Sequence, residues 1–245
     1  MSFTPAPFRR AALTGALALL AAACGGADSE AGQAGEKTVA EAPANSVEKV
    51  GEGALSDMAL GAKDAAVVVI EYASVTCPHC AQFHEDIFPQ IKEDYIDTGK
   101  VRFIFREFPT APANLSVAGS MLARCAADEK GDDAYFLVLD ALFKNQGNPY
   151  QENKGWIYGD NPRDELLKIA SQAGMSAEDF DACMKRQELL DFLNANIKEG
   201  SEKYGVNSTP SFVINGQTRH FSTEEDFAKA LDEALEKAET DGDAE

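Results

Sequence analysis

The sequence has few basic side chains and little histidine. Lysine and arginine total 22 against 41 acidic residues, so the 245 residues carry a formal net charge of −19. Charge of this sign repels the phosphates of nucleic acids and anionic lipid surfaces, so nucleic acid is not an expected partner. The three histidines, His79, His84 and His220, offer little to a catalytic metal site built on imidazoles. We therefore predict neither a metal nor another cofactor.

Hydrophobic runs long enough to span a membrane are also lacking. The apolar run AALTGALALLAAA, which follows Arg9 and Arg10, is too short for a mature transmembrane helix. It is typical of an export signal, so residues 1–24 are predicted to be a signal peptide and the mature chain to lie in the periplasm or cell envelope. Two outcomes stay open: cleavage after AAA, or lipid attachment to Cys24. LLAAAC resembles a bacterial lipobox, although Ala21 stands where that pattern prefers leucine.

The remaining chain divides by composition and periodicity. Residues 25–53 are rich in Ala, Gly and Glu and predict a flexible tether, and residues 241–245 predict a disordered tail. The β-branched runs VVVIEY and VRFIF predict buried parallel strands, joined by an amphipathic helix in a βαβ unit. Later, SFVING and TRHFS predict a hairpin that turns at Asn215 and Gly216, followed by a helix over 223–239.

Between these two parts the strand signals vanish. Helical patterns cover 113–128, 134–145, 163–173, 177–187 and 188–203. The sequence therefore predicts an α/β domain, formed by residues 54–112 and 204–240, with an all-helical insertion over 113–203.

The stretch TCPHC places Cys77 and Cys80 where the first strand becomes a helix. A Cys-x-x-Cys pair near a βαβ unit is a redox signature. Free backbone N–H groups and the helix dipole stabilise a thiolate at Cys77, and His79 can add positive charge or a hydrogen bond. Pro78 suits the first helical position because its missing N–H would have no helical partner there. We expect Cys77 to be the exposed nucleophile and Cys80 the buried resolving thiol.

Other interpretations of these residues stay open. A zinc site using Cys77, Cys80 and His84 would need a fourth ligand, and the sequence has no second nearby pair of ligands. A purely structural disulfide across two residues would restrain the unfolded chain little. His84 is interpreted as an ordinary helix residue.

The stretch VNSTPSFVING adds a second element, because Pro210 directly precedes an apolar strand and belongs at its first position. TCPHC, followed by a helical insertion and then this Thr-Pro, resembles the DsbA-type thiol-disulfide oxidoreductases of bacterial envelopes. The resemblance, which covers roughly residues 54–240, implies a thioredoxin-like fold with Pro210 cis and Thr209 beside the cysteine pair. It also implies that Glu71, whose charge is costly to bury, exchanges protons with Cys80. A water-facing position at a sheet edge is the alternative for Glu71.

Cys125 and Cys183 lie in the helical insertion. A disulfide between them would stabilise the fold by roughly 4 kcal/mol in the chain-entropy model, and some DsbA-like proteins carry a second disulfide in this domain. Two buried thiols are the alternative.

The leading hypothesis is an exported oxidase that donates the Cys77–Cys80 disulfide to reduced, unfolded exported proteins. By resemblance, a membrane quinone-coupled oxidase of the DsbB type would reload it. A disulfide isomerase or reductase remains open, since periplasmic isomerases also show the threonine found at position 209. A non-catalytic metal- or thiol-binding module is the third hypothesis.

Overall fold

The computed structural model describes Glu48, Lys49, Gly51 and residues 53–242. The predicted export signal, Cys24 and most of the predicted tether lie outside the described residues, as do residues 243–245. None of the helices between residues 53 and 242 combines the length and the apolar character that a membrane crossing requires.

A five-stranded sheet forms the centre of the fold, with strand order β1-β3-β2-β4-β5. The strands are β1 Met58–Leu60, β2 Val67–Ala73, β3 Val101–Glu107, β4 Ser211–Ile214 and β5 Gln217–Arg219. Strands β2 and β3 are parallel, and the other neighbours pair antiparallel. The β4–β5 hairpin turns at Asn215 and Gly216, both with positive φ, as the Asn-Gly signal predicts.

Strand β2 is buried on both faces, as its β-branched composition predicts. Because side chains alternate along a strand, Val67 and Val69 pack on one face with Phe83 and Phe227, whereas Ile70 lies on the other face. Glu71 occupies the first of these faces, two residues after Val69. A carboxylate is thereby placed in an apolar layer.

Helices cover the sheet and form the block inserted between β3 and β4. They are α1 Pro78–Asp86, α2 Phe88–Ile91, a π-helical turn Lys92–Ile96, α3 Ala113–Lys130, α4 Asp132–Lys144, α5 Gly155–Tyr158, α6 Pro162–Gln172, α7 Ala177–Cys183, α8 Gln187–Tyr204 and α9 Glu224–Gly242. Cys125 of α3 and Cys183 of α7 form a disulfide with an S–S distance of 2.04 Å. It ties two helices of the insertion together.

The structure differs from the sequence expectations in local detail. Strand β1 was not predicted, because three residues are too few to show alternation. The helix after Cys80 is interrupted at Ile87, where Pro89 follows in α2 and lacks the N–H that a continuous helix needs. Helix α5 lies in a predicted loop, and there the buried Trp156 donates from Nε1 to the carbonyl of Leu142 at 2.8 Å.

Two predicted boundaries are also wrong. Helix α9 continues to Gly242, two residues into the predicted tail. At the other end, contacts with the fold begin before residue 54: Glu48 pairs with Arg102 at 2.9 Å and Lys49 with Glu199 at 2.6 Å. Part of the segment interpreted as a flexible tether is therefore attached to the folded domain.

Two buried arginines connect β3 to its surroundings. Arg106 donates to both carboxylate oxygens of Asp57, at 3.0 and 2.7 Å. Arg124 of α3 donates to Glu107 Oε2 at 2.7 Å, while Tyr135 of α4 donates to Glu107 Oε1 at 2.8 Å. The helical insertion and the sheet therefore share a charged, hydrogen-bonded core.

Candidate active site

Cys77 lies at the N-terminus of α1, directly after the buried strand β2. It is the residue before the helix, with extended backbone angles, and Pro78 is the first helical residue. The carbonyl of Cys77 accepts the first helical hydrogen bond, from Ala81 at 3.1 Å. The sulfur is therefore held where unpaired N–H groups and the positive end of the helix dipole converge.

Hydroxyl groups fix the loop that leads to Cys77. Ser74 Oγ lies 2.9 Å from Thr76 Oγ1 and 2.8 Å from Ser116 Oγ, and all three residues are buried. The Ser74 carbonyl accepts from the Cys77 N–H at 3.0 Å. These bonds hold the strand-to-helix turn in one conformation.

Gln146, directly beyond α4, holds the same turn from the helical insertion. Its buried side-chain amide donates to the carbonyls of Val75 and Cys77, at 2.9 and 3.0 Å. Sequence reasoning missed this residue, because a glutamine in a polar loop carries no local signal of a contact 69 residues away. The insertion therefore supports the backbone at Cys77.

The Thr209–Pro210 peptide bond is cis, and the loop that carries it contacts Cys77. Cys77 Sγ lies 3.4 Å from the carbonyl oxygen of Thr209. The resemblance implied this arrangement. Pro210 directly precedes β4, and β4 lies next to β2. His220 is near the same loop, with Nδ1 3.1 Å from the carbonyl of Pro210.

The two cysteines differ in exposure less than expected. Cys77 keeps 7% of its surface exposed and Cys80 keeps none. The expectation of an exposed Cys77 is therefore wrong, since both cysteines are buried, whereas Pro78 and His79 between them are exposed.

The surroundings of Cys77 favour its thiolate. Hydrogen bonding from the Cys80 thiol is the largest cause, and the Thr209 side chain and the backbone N–H groups of Cys80 and His79 add to it. Burial opposes them, but the pKa of Cys77 still falls from an ordinary 9.0 to about 5. His79 contributes through its backbone, whereas the sequence suggested its side chain.

Cys80 behaves in the opposite way. Burial raises its pKa well above 9.0, and the hydrogen bond to Cys77 and the negative charge of Glu71 act in the same direction. In the reduced protein Cys77 is therefore the thiolate and Cys80 the thiol. A nucleophile and a proton-bearing partner lie side by side.

Glu71 is fully buried, and its charge acts on Cys80. Its Oε2 is hydrogen-bonded to His84 Nε2 at 2.8 Å, and its Oε1 has no hydrogen-bond partner among the described residues. The water-facing alternative for Glu71 is therefore wrong. His84, interpreted from the sequence as an ordinary helix residue, pairs with this carboxylate.

The other candidate residues lie apart from this site. Cys125 and Cys183 belong to a cluster of α3, α7 and α8 that does not include the Cys77–Cys80 pair. Within residues 53–242, no group of three or more His, Cys, Asp or Glu side chains is arranged to hold a metal ion. The zinc-site interpretation of Cys77, Cys80 and His84 is therefore not supported.

A protein-family model described as thioredoxin matches residues 54–233. The chain belongs to the thioredoxin family. The predicted fold class, a thioredoxin-like α/β fold with inserted helices, is confirmed. The family match includes the inserted helices as well as the sheet.

Curated relatives carry names from disulfide chemistry. The "Putative protein-disulfide oxidoreductase" of Rickettsia bellii is 36% identical over 185 residues, covering 75% of this chain and 66% of the relative. "Disulfide bond formation protein D" of Bacillus subtilis is 27% identical over 184 residues, covering 72% of this chain and 76% of the relative. The chain spans between 61% and 66% of the length of the five rickettsial relatives that it matches.

Solved structures support the DsbA-type resemblance. Alpha-DsbA1 of Wolbachia pipientis matches with a TM-score of 0.66 and 27% identity, over 81% of this chain and 98% of that one. Oxidised BdbD of Bacillus subtilis matches with a TM-score of 0.59 and 24% identity, over 74% and 93%. The resemblance that TCPHC and the Thr209–Pro210 pair indicated is confirmed.

Proposed function

We propose that the protein is an exported thiol-disulfide oxidoreductase that donates its Cys77–Cys80 disulfide to reduced, unfolded exported proteins. The observation that carries this proposal is the position of Cys77 at the N-terminus of α1, 3.4 Å from the carbonyl of Thr209 in the cis-proline loop, with Cys80 fully buried. This arrangement lowers the pKa of Cys77 and raises that of Cys80. Stabilising the reduced form in this way makes the disulfide a strong oxidant. The names of the relatives point to the same chemistry.

The first step forms a mixed disulfide. A substrate thiolate attacks Cys77 Sγ, the Cys77–Cys80 bond breaks, and Cys80 leaves with the bonding electron pair and takes up a proton. Cys77 is the attacked sulfur because Cys80 is fully buried. The cis-proline loop and the helical insertion flank the place where the substrate chain would dock.

The second step releases the product. A second substrate thiolate attacks the substrate sulfur of the mixed disulfide, and Cys77 leaves as a thiolate. A thiol of low pKa is a good leaving group, so a pKa of about 5 favours this release. The substrate loses two electrons and the cysteine pair gains them, while of the two substrate protons one ends on Cys80 and one in solvent.

The cycle needs an oxidant and a location outside the cytosol. We propose a membrane quinone-coupled oxidase of the DsbB type as the oxidant and the periplasm or cell envelope as the location. Attachment of lipid to Cys24 would tether the protein to the membrane. Mass spectrometry of the protein purified from membranes tests that tether, since a diacylglycerol or a free N-terminus after cleavage gives different masses.

Oxidative folding of reduced ribonuclease A tests the proposed activity. We expect oxidised protein to introduce disulfides at least tenfold faster than glutathione disulfide at equal concentration, because Cys77 is the better leaving group. Cys77→Ser is expected to abolish the effect, and the paired Cys125→Ala, Cys183→Ala variant to retain it. A wild-type rate no higher than that of glutathione disulfide would contradict the proposal.

Disulfide isomerase or reductase activity is a second candidate, favoured by Thr209 before the cis proline. These activities need a Cys77–Cys80 pair that is mostly reduced in the cell. Rapid acid quenching of cells followed by alkylation separates the two candidates: a mostly oxidised pair supports the oxidase, and a mostly reduced pair supports the alternative.

A further inference from the structure

Glu71 is an unusual feature of the core. It is fully buried in β2, and its direct neighbours in the sheet are Phe105 of β3 and Phe212 of β4. One carboxylate oxygen is hydrogen-bonded to His84, and the other has no hydrogen-bond partner in the described part of the chain. An ionisable group in an apolar layer with one unused oxygen is costly for stability alone.

His84 is the hydrogen-bond partner of this carboxylate and is partly exposed to solvent. It follows Cys80 by four residues in α1, so the two side chains lie on the same face of the helix. Its ring stacks on Phe143 of α4, with centroids 4.5 Å apart, and also contacts Phe88. The His84 side chain keeps 10% of its surface exposed, whereas Glu71 and Cys80 keep none.

The proposed reaction requires a proton at Cys80 in every cycle. Cys80 gains one when it leaves the disulfide, and it loses one when the disulfide forms again. The sulfur has no contact with water of its own, so the proton must pass through neighbouring groups. Glu71 interacts electrostatically with Cys80, and Glu71 is bonded in turn to His84.

We propose that His84 passes protons between solvent and Glu71, and that Glu71 in turn protonates and deprotonates Cys80. His84 therefore acts through Glu71 and does not itself touch the reacting sulfurs. The inference rests on the proposed function of the Cys77–Cys80 pair. When Cys80 leaves the disulfide, it takes a proton from Glu71, His84 returns one from Nε2 to the carboxylate, and solvent reloads the imidazole. The reverse sequence removes the proton when Cys80 attacks. No electrons move through His84 or Glu71.

The other titratable groups near Glu71 are committed elsewhere. Tyr135 of α4 interacts electrostatically with Glu71, but its hydroxyl donates a hydrogen bond to Glu107. Glu107 of β3 also accepts from Arg124. On α1, Glu85 and Asp86 are exposed to solvent. These contacts leave His84 as the group that joins Glu71 directly to the surface.

Single-turnover reaction with glutathione disulfide isolates the step in which Cys80 acts. Reduced protein is mixed with the probe from pH 5 to 8, quenched in acid, and the glutathione adduct on Cys77 is followed by intact mass. We expect His84→Gln to slow decay of the adduct about tenfold at pH 7 and to flatten its pH profile. Formation of the adduct should change less than twofold, because that step belongs to Cys77.

Further variants separate a proton path from a packing role. His84→Phe, which keeps the aromatic stacking without the nitrogens, should show the same loss, whereas the exposed neighbour Glu85→Gln should match wild type. Glu71→Gln should slow the same step, and adding His84→Gln to it should cause no further loss. That non-additivity is what action through Glu71 requires.

Three results would overturn the inference. One is a wild-type pH profile in both His84 variants. Another is a multiplicative loss in the double variant, which would mean that the two residues act independently. The third is an equal slowing of adduct formation and decay, as expected of a general structural defect. If wild-type protein forms no adduct at all, the proposed function itself fails, and this result is distinct from the other three.

Discussion

The fold buries two glutamates on neighbouring parallel strands, and their surroundings are opposite. Glu107 of β3 accepts from Arg124 and Asn196 at one oxygen and from Tyr135 at the other. Glu71 of β2 has His84 at one oxygen and no hydrogen-bond partner within the described residues at the other. One carboxylate is fully compensated and the other is not.

The difference distinguishes a glutamate that stabilises the fold, Glu107, from the glutamate proposed to take part in the reaction, Glu71. A carboxylate held by a guanidinium and two further donors has both of its oxygens occupied by hydrogen bonds within the fold. A carboxylate with one oxygen unbonded and an imidazole at the other keeps the unused position that the proton transfer proposed for Glu71 requires. Burial alone therefore does not identify a functional acid, whereas the number of unused hydrogen-bonding positions helps to do so.

Replacing each glutamate by glutamine should show the difference most clearly in the free energy of unfolding. We expect Glu107→Gln to lower the free energy of unfolding by about 3–5 kcal/mol, because the buried Arg124 loses its counter-charge. Urea unfolding of the oxidised protein measures this. Arg163→Gln, which breaks an exposed pair with Asp181, is the control and should cost at most about 1 kcal/mol. Comparable losses for the two variants would remove the structural role assigned to Glu107.

The second prediction concerns the negative charge on Cys77, whose hydrogen-bond partner is Cys80. Cys77 has a folded pKa of about 5, below its ordinary 9.0, so ionisation stabilises the reduced fold above pH 5 and this gain disappears as pH falls through 5. The gain is about 3 kcal/mol at pH 7. Unfolding of reduced wild type and reduced Cys77→Ser should differ by about that much more at pH 7 than at pH 4. An unchanged difference would mean that Cys77 titrates as an ordinary thiol.

The smallest effect is expected at Glu71. Glu71→Gln should leave the free energy of unfolding unchanged or raise it by up to about 1 kcal/mol, because a neutral amide is cheaper to bury than a carboxylate with one unbonded oxygen. The same variant should lower the pKa of Cys80, since the negative charge that raises it is removed. Urea unfolding and the pH dependence of Cys80 alkylation in a Cys77→Ser background measure the two effects. Destabilisation as large as at Glu107 would erase the contrast.

Local patterns in the sequence were enough to predict the fold class and the cysteine pair to which the proposed function assigns the reaction. The β-branched runs, the Asn-Gly turn and the helical periodicities each depend on neighbours within a few residues. The Cys77–Cys80 spacing at a strand end and the proline before β4 are local signals too. Glu71 stood out for the same reason, because it interrupts an apolar run.

The supporting contacts could not be predicted in this way. His84 meets Glu71 across 13 residues and Gln146 meets Cys77 across 69, and neither pair follows from periodicity. Strand β1 is too short to show a pattern of its own. Contacts of this kind depend on how the strands and helices assemble, which a single sequence does not encode in any local window.

The salt bridge between Asp57 and Arg106 bears on where an autonomously folding fragment can start. Backbone carbonyls of the 53–57 segment also accept hydrogen bonds from Arg124. A shortened chain beginning at Val67 would keep every residue of the redox motif but deprive two interior guanidinium groups of these acceptors. A shortened chain for crystallisation or for domain fusion should therefore start before residue 48 and keep that residue. The first long strand starts nearly twenty residues later.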